Sequence, residues 1–407
     1  MIFTSISPNA ESDDVRRAAG LLFKPWTWRH GEAVSELERA FAGKLAVPDA
    51  VAFQSGRNAL YAILKAFGVH EGDEVLIQAY TCVAVPEPVM WVGALPIYVD
   101  VGDDLCMDPT DLRKKITSRS KALVIQHTFG VPARMGEIIA FAHEYGLIVI
   151  EDCAHSLGTT FECKPVGTMG DAAFFSFGRD KSLSCVFGGI AVARDPQRAA
   201  QVRSIRDSFS DLPSGTIFKY LLHPIVTSFA KKTYRFLSLG KAIMAAALRV
   251  GLIPRAVESA ELSGGRPSFF ATKMPNAIAI LALHQLGKTE RYAAARKNAA
   301  KLYAKGLPDI KHQKLSDGAA PLRYVLFVER APELIKAARR AGIELGDWYD
   351  RAIAPAKTRL AAVGYAEGSC TAAERYARMS VDLPTHALLT DSDIQTIISF
   401  IRTALAL

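Results

Sequence analysis

Cysteines are few and scattered: Cys82, Cys106, Cys153, Cys163, Cys185 and Cys370 are the only six in 407 residues. No CxxC pair and no Cys/His cluster has zinc-site spacing, so no metal site is expected. Isolated thiols suit a reducing compartment, and the expectation is a cytoplasmic protein. The opening residues, Met1-Ile2-Phe3-Thr4-Ser5, lack a charged segment followed by an apolar one, so no signal peptide is expected. No uninterrupted apolar run reaches the roughly 18 residues of a membrane span. The chain also lacks internal repeats, a low-complexity tail and any recognisable nucleic-acid-binding module, so no nucleic-acid partner is expected.

Acidic residues are absent from one long stretch, residues 212–257. That stretch carries Lys219, Lys231, Lys232, Arg235, Lys241, Arg249 and Arg255 among large apolar groups such as Phe218, Phe229, Phe236, Leu237 and Met244. Pro224 and Gly240 are expected to divide it into short helices. Two readings stay open: a peripheral membrane contact, with cations at anionic lipid and aromatic groups below the headgroups, or a helical cap packed on the rest of the protein. The whole chain carries a formal charge of +8, a moderate basic excess that suits a phosphorylated partner without selecting one.

Half the residues are apolar, which is ample for a sizeable core, and the length suits a large domain plus a smaller one. Short apolar runs follow one another at 51–53, 74–77, 96–99, 122–125, 147–150, 172–176 and 189–193, separated by segments of helical period such as 58–67 and 137–145. This alternation predicts an α/β fold with a mostly parallel seven-stranded sheet flanked by helices. Residues 12–44 read as helical, and 276–303 as one long helix. A strand at 322–328, a helix at 332–341 and a last helix from Asp391 predict a small C-terminal α/β domain. The expected division is 1–270, with 212–257 as an insert, and 271–407 for the linking helix and small domain.

In such sheets ligands bind beyond the carboxyl ends of the strands, which directs attention to the residues following each run. Asp152 follows the run ending at Ile150. It suits either a carboxylate that holds a pyridine nitrogen protonated or the cap of a following helix. His155, one turn on, suits ring stacking or an ordinary surface position. Lys181 lies a few residues past the run ending at Ser176. A buried lysine there can lose its proton and attack a carbonyl carbon, whereas a lone lysine is ordinarily on the surface. Ser176 offers a hydroxyl for a phosphate oxygen, or merely ends a strand. Gln54-Ser55-Gly56-Arg57-Asn58 joins a strand to a helix, and the free N–H groups of a helix start bind phosphate well.

A phosphate-binding turn, then a strand ending in Asp, then Ser five residues before Lys is a specific order. With it go Gly31 to Phe41, Gly72-Asp73-Glu74-Val75, Gly93-Ala94-Leu95-Pro96, Val166-Gly167-Thr168-Met169-Gly170-Asp171, Phe175-Ser176-Phe177, Gly188-Gly189, Lys273-Met274-Pro275-Asn276 and Leu383-Pro384-Thr385-His386. In these residues the chain resembles the DegT/DnrJ/StrS sugar aminotransferases, of the aspartate aminotransferase fold type I, over nearly its whole length. The resemblance implies pyridoxal 5'-phosphate (PLP) as cofactor, with Lys181 as the Schiff-base lysine and Asp152 at the pyridine nitrogen. It implies that Ser176 and the Gly56, Arg57, Asn58 turn hold the cofactor phosphate, with His155 beside the ring. It further implies a homodimer with shared active sites that converts a nucleotide-linked keto-sugar to an amino-sugar with an amino-acid donor such as glutamate, in glycan biosynthesis.

Three places depart from the family's pattern. Cys82 stands where an aromatic usually stacks on the cofactor, leaving Tyr80 or His155 to replace it. Arg206-Asp207-Ser208 stands where an Asn-His-Gly turn is common. Residues 212–257 are longer and more apolar than the usual segment. Two alternatives to transamination follow: a keto-sugar dehydratase or other lyase of the same fold, and a non-catalytic regulatory member.

Overall fold

The computed structural model describes every residue except 1, 6, 235–238 and 407. All seven apolar runs form strands of one sheet: β1 (Ala50–Phe53), β2 (Glu74–Gln78), β3 (Leu95–Val99), β4 (Ser120–Gln126), β5 (Ile148–Asp152), β6 (Ala172–Ser176) and β7 (Gly189–Ala193). Their order is β1-β7-β6-β5-β4-β2-β3. β7 alone runs against its two neighbours, and every other pairing is parallel. Most residues of these strands are buried, which explains why they read as continuous apolar runs rather than alternating ones.

Helices cover both faces. The helices of the chain include α1 (Ser12–Leu22), α2 (Ala33–Leu45), α3 (Gly56–Ala66), α4 (Pro196–Asp207), α5 (Ser214–Lys232), α6 (Leu239–Arg249), α7 (Asn276–Leu286), α8 (Thr289–Gly306) and, in the C-terminal part, α9 (Ala331–Arg340) and α10 (Asp391–Ala404). On one face Leu60, Ile63, Ala199 and Val202 of α3 and α4 pack against Phe53, Val75 and Ile77. On the other, Phe41 of α2 and Ile278 of α7 meet Phe175 and Ile190, with the Phe41 and Phe175 rings edge to face at 4.9 Å. Ile217, Tyr220 and Leu221 of α5 belong to this second core.

The C-terminal part has a core of its own. β8 (Arg323–Phe327) pairs antiparallel with β9 (Ser380–Pro384), and Tyr324, Leu326, Val381 and Leu383 pack against Tyr303, Leu334, Ile398 and Ile401. The chain start joins this part, since Ile2–Phe3 pairs with Ile343–Glu344.

Three helix expectations need correction. The helical stretch expected over 12–44 is two helices, broken at 23–32. Pro25 enters a short turn there, and the Trp28 indole N–H donates to the Leu21 carbonyl at 2.7 Å, taking an acceptor at the end of α1. The single helix expected over 276–303 is α7 and α8, separated at Gly287-Lys288. Pro224 does not break the insert: α5 runs through it for 19 residues. Proline removes one helical hydrogen bond, but the buried face of α5 outweighs that loss, and propensity yields to packing. Gly240 is likewise inside α6. A Cβ there would lie 2.1 Å from the Ala230 carbonyl oxygen, so the glycine marks a close helix crossing. Arg235, Phe236 and Leu237 lie outside the described residues. No helix among the described residues is long and apolar enough to cross a membrane.

Candidate active site

The sheet register assembles the site. Phe53 at the end of β1 faces Gly189, Gly189 faces Ser176 at the end of β6, and Phe174 faces Asp152 at the end of β5. Ser55, Gly56, Arg57, Ser176 and Asp152 therefore meet at one edge of the sheet, around a cavity of about 400 Å³ that Lys181 and His155 also line. Gly189 permits this closeness, because a Cβ on it would lie 2.6 Å from the Gly56 nitrogen.

Lys181 sits on the turn after β6, its amide donating to Gly178 O at 3.0 Å. The turn is tied from behind. Asn9 donates to the Lys181 carbonyl at 2.6 Å, the buried Arg296 donates to the Ser182 carbonyl at 3.2 Å, and Ser182 Oγ donates to His155 O at 3.0 Å. Lys181 Nζ lies 2.8 Å from His155 Nε2. The His155 ring is stacked on Phe129, 5.3 Å between centroids and 9° between planes. Burial, with Lys181 and Arg323 adding to it, holds His155 well below the usual histidine range, so the ring is neutral. The Phe129 backbone N–H donates to His155 Nδ1 at 3.3 Å. The other ring nitrogen, Nε2, is the one that meets Lys181 Nζ, and the ring tautomer sets which of the two donates.

Asp152 is buried, and Asp152 Oδ1 accepts from the Ala154 N–H at 2.9 Å. Burial pushes the carboxyl up to about 6, against the Ala154 N–H and the Lys181 charge. The cap reading of Asp152 fails, because no helix follows it: the Ala154 N–H closes a local turn, and Asp152 lines the cavity. Its neighbour Glu151 points the other way and accepts from the N–H groups of Gly167, Met169 and Gly170, each at 2.7 Å.

The turn before α3 forms one end of the cavity. Ser55 caps the helix, its Oγ accepting from Asn58 N–H at 3.2 Å. Gly56 faces Ser176: a Cβ at Gly56 would stand 3.3 Å from Ser176 Cβ and 3.6 Å from Oγ, closing the cradle. The Asn58 side chain turns away from the cavity to the carbonyls of Phe269 and Thr272, at 3.2 and 3.3 Å. Arg57 lines the cavity, but its charge is answered, with Nε 2.5 Å from Glu261 and 3.6 Å from Glu87. Burial pushes the Glu87 carboxyl up to about 10 despite Arg57, so Glu87 is protonated, and burial raises Glu261 as well against the pull of Arg57.

Of the two candidates to replace the missing aromatic, His155 lines the cavity and Tyr80 does not. Tyr80 hydrogen-bonds Ser380 at 2.7 Å and packs edge-on against Tyr349, 5.3 Å between centroids. Tyr349 and Trp348 line the cavity instead, beside Cys82, whose thiol burial pushes up to about 11. Neither aromatic was picked out in sequence, because the loop that carries them has no periodic pattern. Arg179, His223, Asn9 and Arg296 were missed as well. Arg179 alone had a signal, since it lies between Ser176 and Lys181. Arg206 pairs with Glu38 at 2.9 Å and Asp207 at 2.7 Å, and does not reach the cavity.

A lysine amine, a buried carboxylate and a phosphate-sized cradle at the carboxyl edge of a mixed seven-stranded sheet define an aminotransferase-type fold. The chain belongs to the DegT/DnrJ/EryC1/StrS aminotransferase family, matching it over residues 9–215 and 255–402. The family is PLP-dependent. The chain is 35% identical over 197 residues to UDP-N-acetyl-3-dehydro-alpha-D-glucosamine 3-aminotransferase of Acidithiobacillus ferrooxidans, covering 48% of this chain and 53% of that one. It is 36% identical over 171 residues to GDP-perosamine synthase of Escherichia coli O157:H7, covering 42% and 47%. The chain thus spans about half the length of the curated relatives it matches. A solved DegT DnrJ EryC1 StrS aminotransferase from Brucella abortus shares the fold, with a TM-score of 0.74 at 23% identity and coverage of 96% and 95%. Residues 216–254, between the two matched blocks, hold most of α5 and all of α6.

Proposed function

We propose that the protein is a PLP-dependent aminotransferase that converts a nucleotide-linked keto-sugar to an amino-sugar in glycan biosynthesis, with glutamate as donor. The observation that carries this reading is the Lys181 Nζ–His155 Nε2 contact at 2.8 Å in the cavity that Asp152 also lines. The residues present fit the cofactor. The Gly56–Ser176 cradle suits a phosphate, Asp152 suits a ring nitrogen, and His155 and Tyr349 offer faces for the ring. When bound, PLP supplies an electron sink and carries the amino group from one substrate to the other. Lys181 would hold the cofactor through its amine and would serve as general base and general acid at the donor's α-carbon. Asp152 would hold the proton on the ring nitrogen. Glutamate and the nucleotide sugar come from the family and from the relatives' names. A dehydratase or other lyase remains the alternative reaction, and Lys181 favours amino transfer over it.

The test is turnover of UDP- and GDP-linked keto-sugars with glutamate, following 2-oxoglutarate release and the mass of the sugar product. Amino-sugar with stoichiometric 2-oxoglutarate supports the reading. Loss of water from the sugar without 2-oxoglutarate selects the lyase, and no turnover of either kind selects a non-catalytic member.

We further propose a cytoplasmic homodimer with shared active sites, divided near residue 270 into a large and a small domain. The resemblance supports the dimer, and six free thiols support a reducing compartment. A specific observation supports peripheral contact with an anionic membrane through residues 212–257. Phe218, Phe229, Leu239, Val250 and Leu252 are exposed there, and Phe23 and Trp26 are exposed on the adjoining segment, where Trp28 meets Phe218 at 6.4 Å. Lys219, Lys232, Lys241, Arg249 and Arg255 accompany them with no acidic residue between. Two copies joined face to face here would set these cations against each other, whereas anionic lipid answers them.

A further inference from the structure

The cavity has further polar groups besides those of the Gly56–Ser176 cradle. Arg179, two residues before Lys181, is one of them. One guanidinium nitrogen donates to the Pro254 carbonyl at 2.9 Å, and the group lies 5.9 Å from the centroid of the Phe187 ring. Among the described residues no carboxylate stands at ion-pair distance from it. Asp180, its neighbour on the turn, lines the cavity too without reaching it. Arg57 is the contrast, since Glu261 and Glu87 answer it at 2.5 and 3.6 Å.

His223 of α5 lines the same cavity at 1% exposure, and its Nδ1 has no hydrogen-bond partner among the described residues. Burial, with Arg179 and Lys231 nearby, keeps the ring well below the usual histidine range, so it offers an N–H without a charge. Thr227, one turn on, gives its hydroxyl to the His223 carbonyl at 2.8 Å. A half-buried guanidinium without a counter-charge and a buried imidazole nitrogen without a partner both cost free energy unless a bound group answers them. The planar fork of an arginine matches the oxygens of a phosphate.

We propose that Arg179 and His223 form a phosphoryl-binding subsite of the active-site cavity, completed by α5 of the 216–254 segment. The subsite rests on the aminotransferase reading, which places two kinds of phosphoryl group in this cavity: the phosphate of PLP and the diphosphate of a nucleotide sugar. Both present the same oxygens to Arg179 and His223.

The test compares full-length wild type with Arg179→Gln, Arg179→Lys and His223→Phe in two binding measurements. One is the dissociation constant of PLP on cofactor-stripped protein. The other is the affinity of UDP and of GDP for PLP-loaded protein, by calorimetry. Arg179→Gln weakens one of the two by about tenfold or more, the loss of a hydrogen bond to a charged group. His223→Phe weakens the same one by severalfold, and Arg179→Lys recovers part of the loss. Movement in the PLP arm assigns the subsite to the cofactor phosphate, and movement in the nucleotide arm to the substrate diphosphate. Folded Arg179→Gln protein with both affinities unchanged overturns the proposal, as does a change confined to the Michaelis constant of glutamate, which would make the subsite a carboxylate site. If wild type fails to form a Lys181-dependent absorbance band with PLP, the aminotransferase reading falls while nucleotide binding still tests the subsite.

Discussion

His155 takes the Phe129 backbone N–H on one ring nitrogen and turns the other to Lys181 Nζ, 2.8 Å away. The imidazole thus fixes where the amine points without adding charge. His155→Phe keeps a ring on Phe129 but removes both hydrogen bonds. Its kcat/KM is expected to fall on the order of tenfold, the worth of one to two lost hydrogen bonds, while the Lys181-dependent absorbance band persists. Paired kinetics and spectra check this, and an unchanged kcat/KM would show that His155 does not position the amine.

The Asp152 carboxyl ionises near 3.8 in the unfolded chain and is pushed up to about 6 in the fold. Between those values the folded protein keeps a proton that the unfolded chain has released, so stability falls as pH rises through this window and stays lowered above it. Asp152→Asn removes the charge. Cofactor-free Asp152→Asn is expected to be more stable than wild type near pH 7.5 by up to about 3 kcal/mol, with the gain vanishing below about pH 4, and to be inactive. Urea unfolding at the two pH values decides, and an equal effect at both contradicts the account.

Arg57 and Glu87 differ in what their loss leaves behind. Glu87, pushed up to about 10 by burial, is already neutral, so Glu87→Gln is expected to cost less than about 1 kcal/mol. Arg57→Met removes the ion-pair partner of the buried Glu261 and is expected to cost about 3–5 kcal/mol. Chemical denaturation of the two variants compares them directly, and similar losses would rule out the protonated Glu87.

For the insert, the expectation is flotation with phosphatidylglycerol liposomes, weakened by salt and absent with phosphatidylcholine alone. Each cation contributes about 1 kcal/mol near an anionic surface, so Lys219→Glu, Lys241→Glu and Arg249→Glu together are expected to abolish flotation. Protein that stays soluble with anionic lipid contradicts membrane contact.

Much of the fold was legible because both faces of the sheet are covered, which turns each strand into an apolar run with a polar end. Asp152, Ser176 and Gly56 could be found as the residues following those runs. What was hidden depends on contacts between distant segments. The break after Leu22 follows from Pro25 and from the Trp28 indole capping the Leu21 carbonyl. Pro224 reads as a helix breaker until the burial of Tyr220 and Leu221 is known. Tyr349 reaches the cavity on a loop almost 170 residues beyond Lys181, and nothing in its local pattern announces that. The side-chain direction of Asn58 was equally invisible, because the carbonyls that hold it come from residues 269 and 272.

The most direct test of the aminotransferase reading is an absorbance spectrum of the purified protein with added PLP, for wild type and Lys181→Ala, followed by glutamate. The account predicts a band near the visible edge in wild type only, bleached when glutamate is added. A spectrum identical in wild type and Lys181→Ala would contradict it.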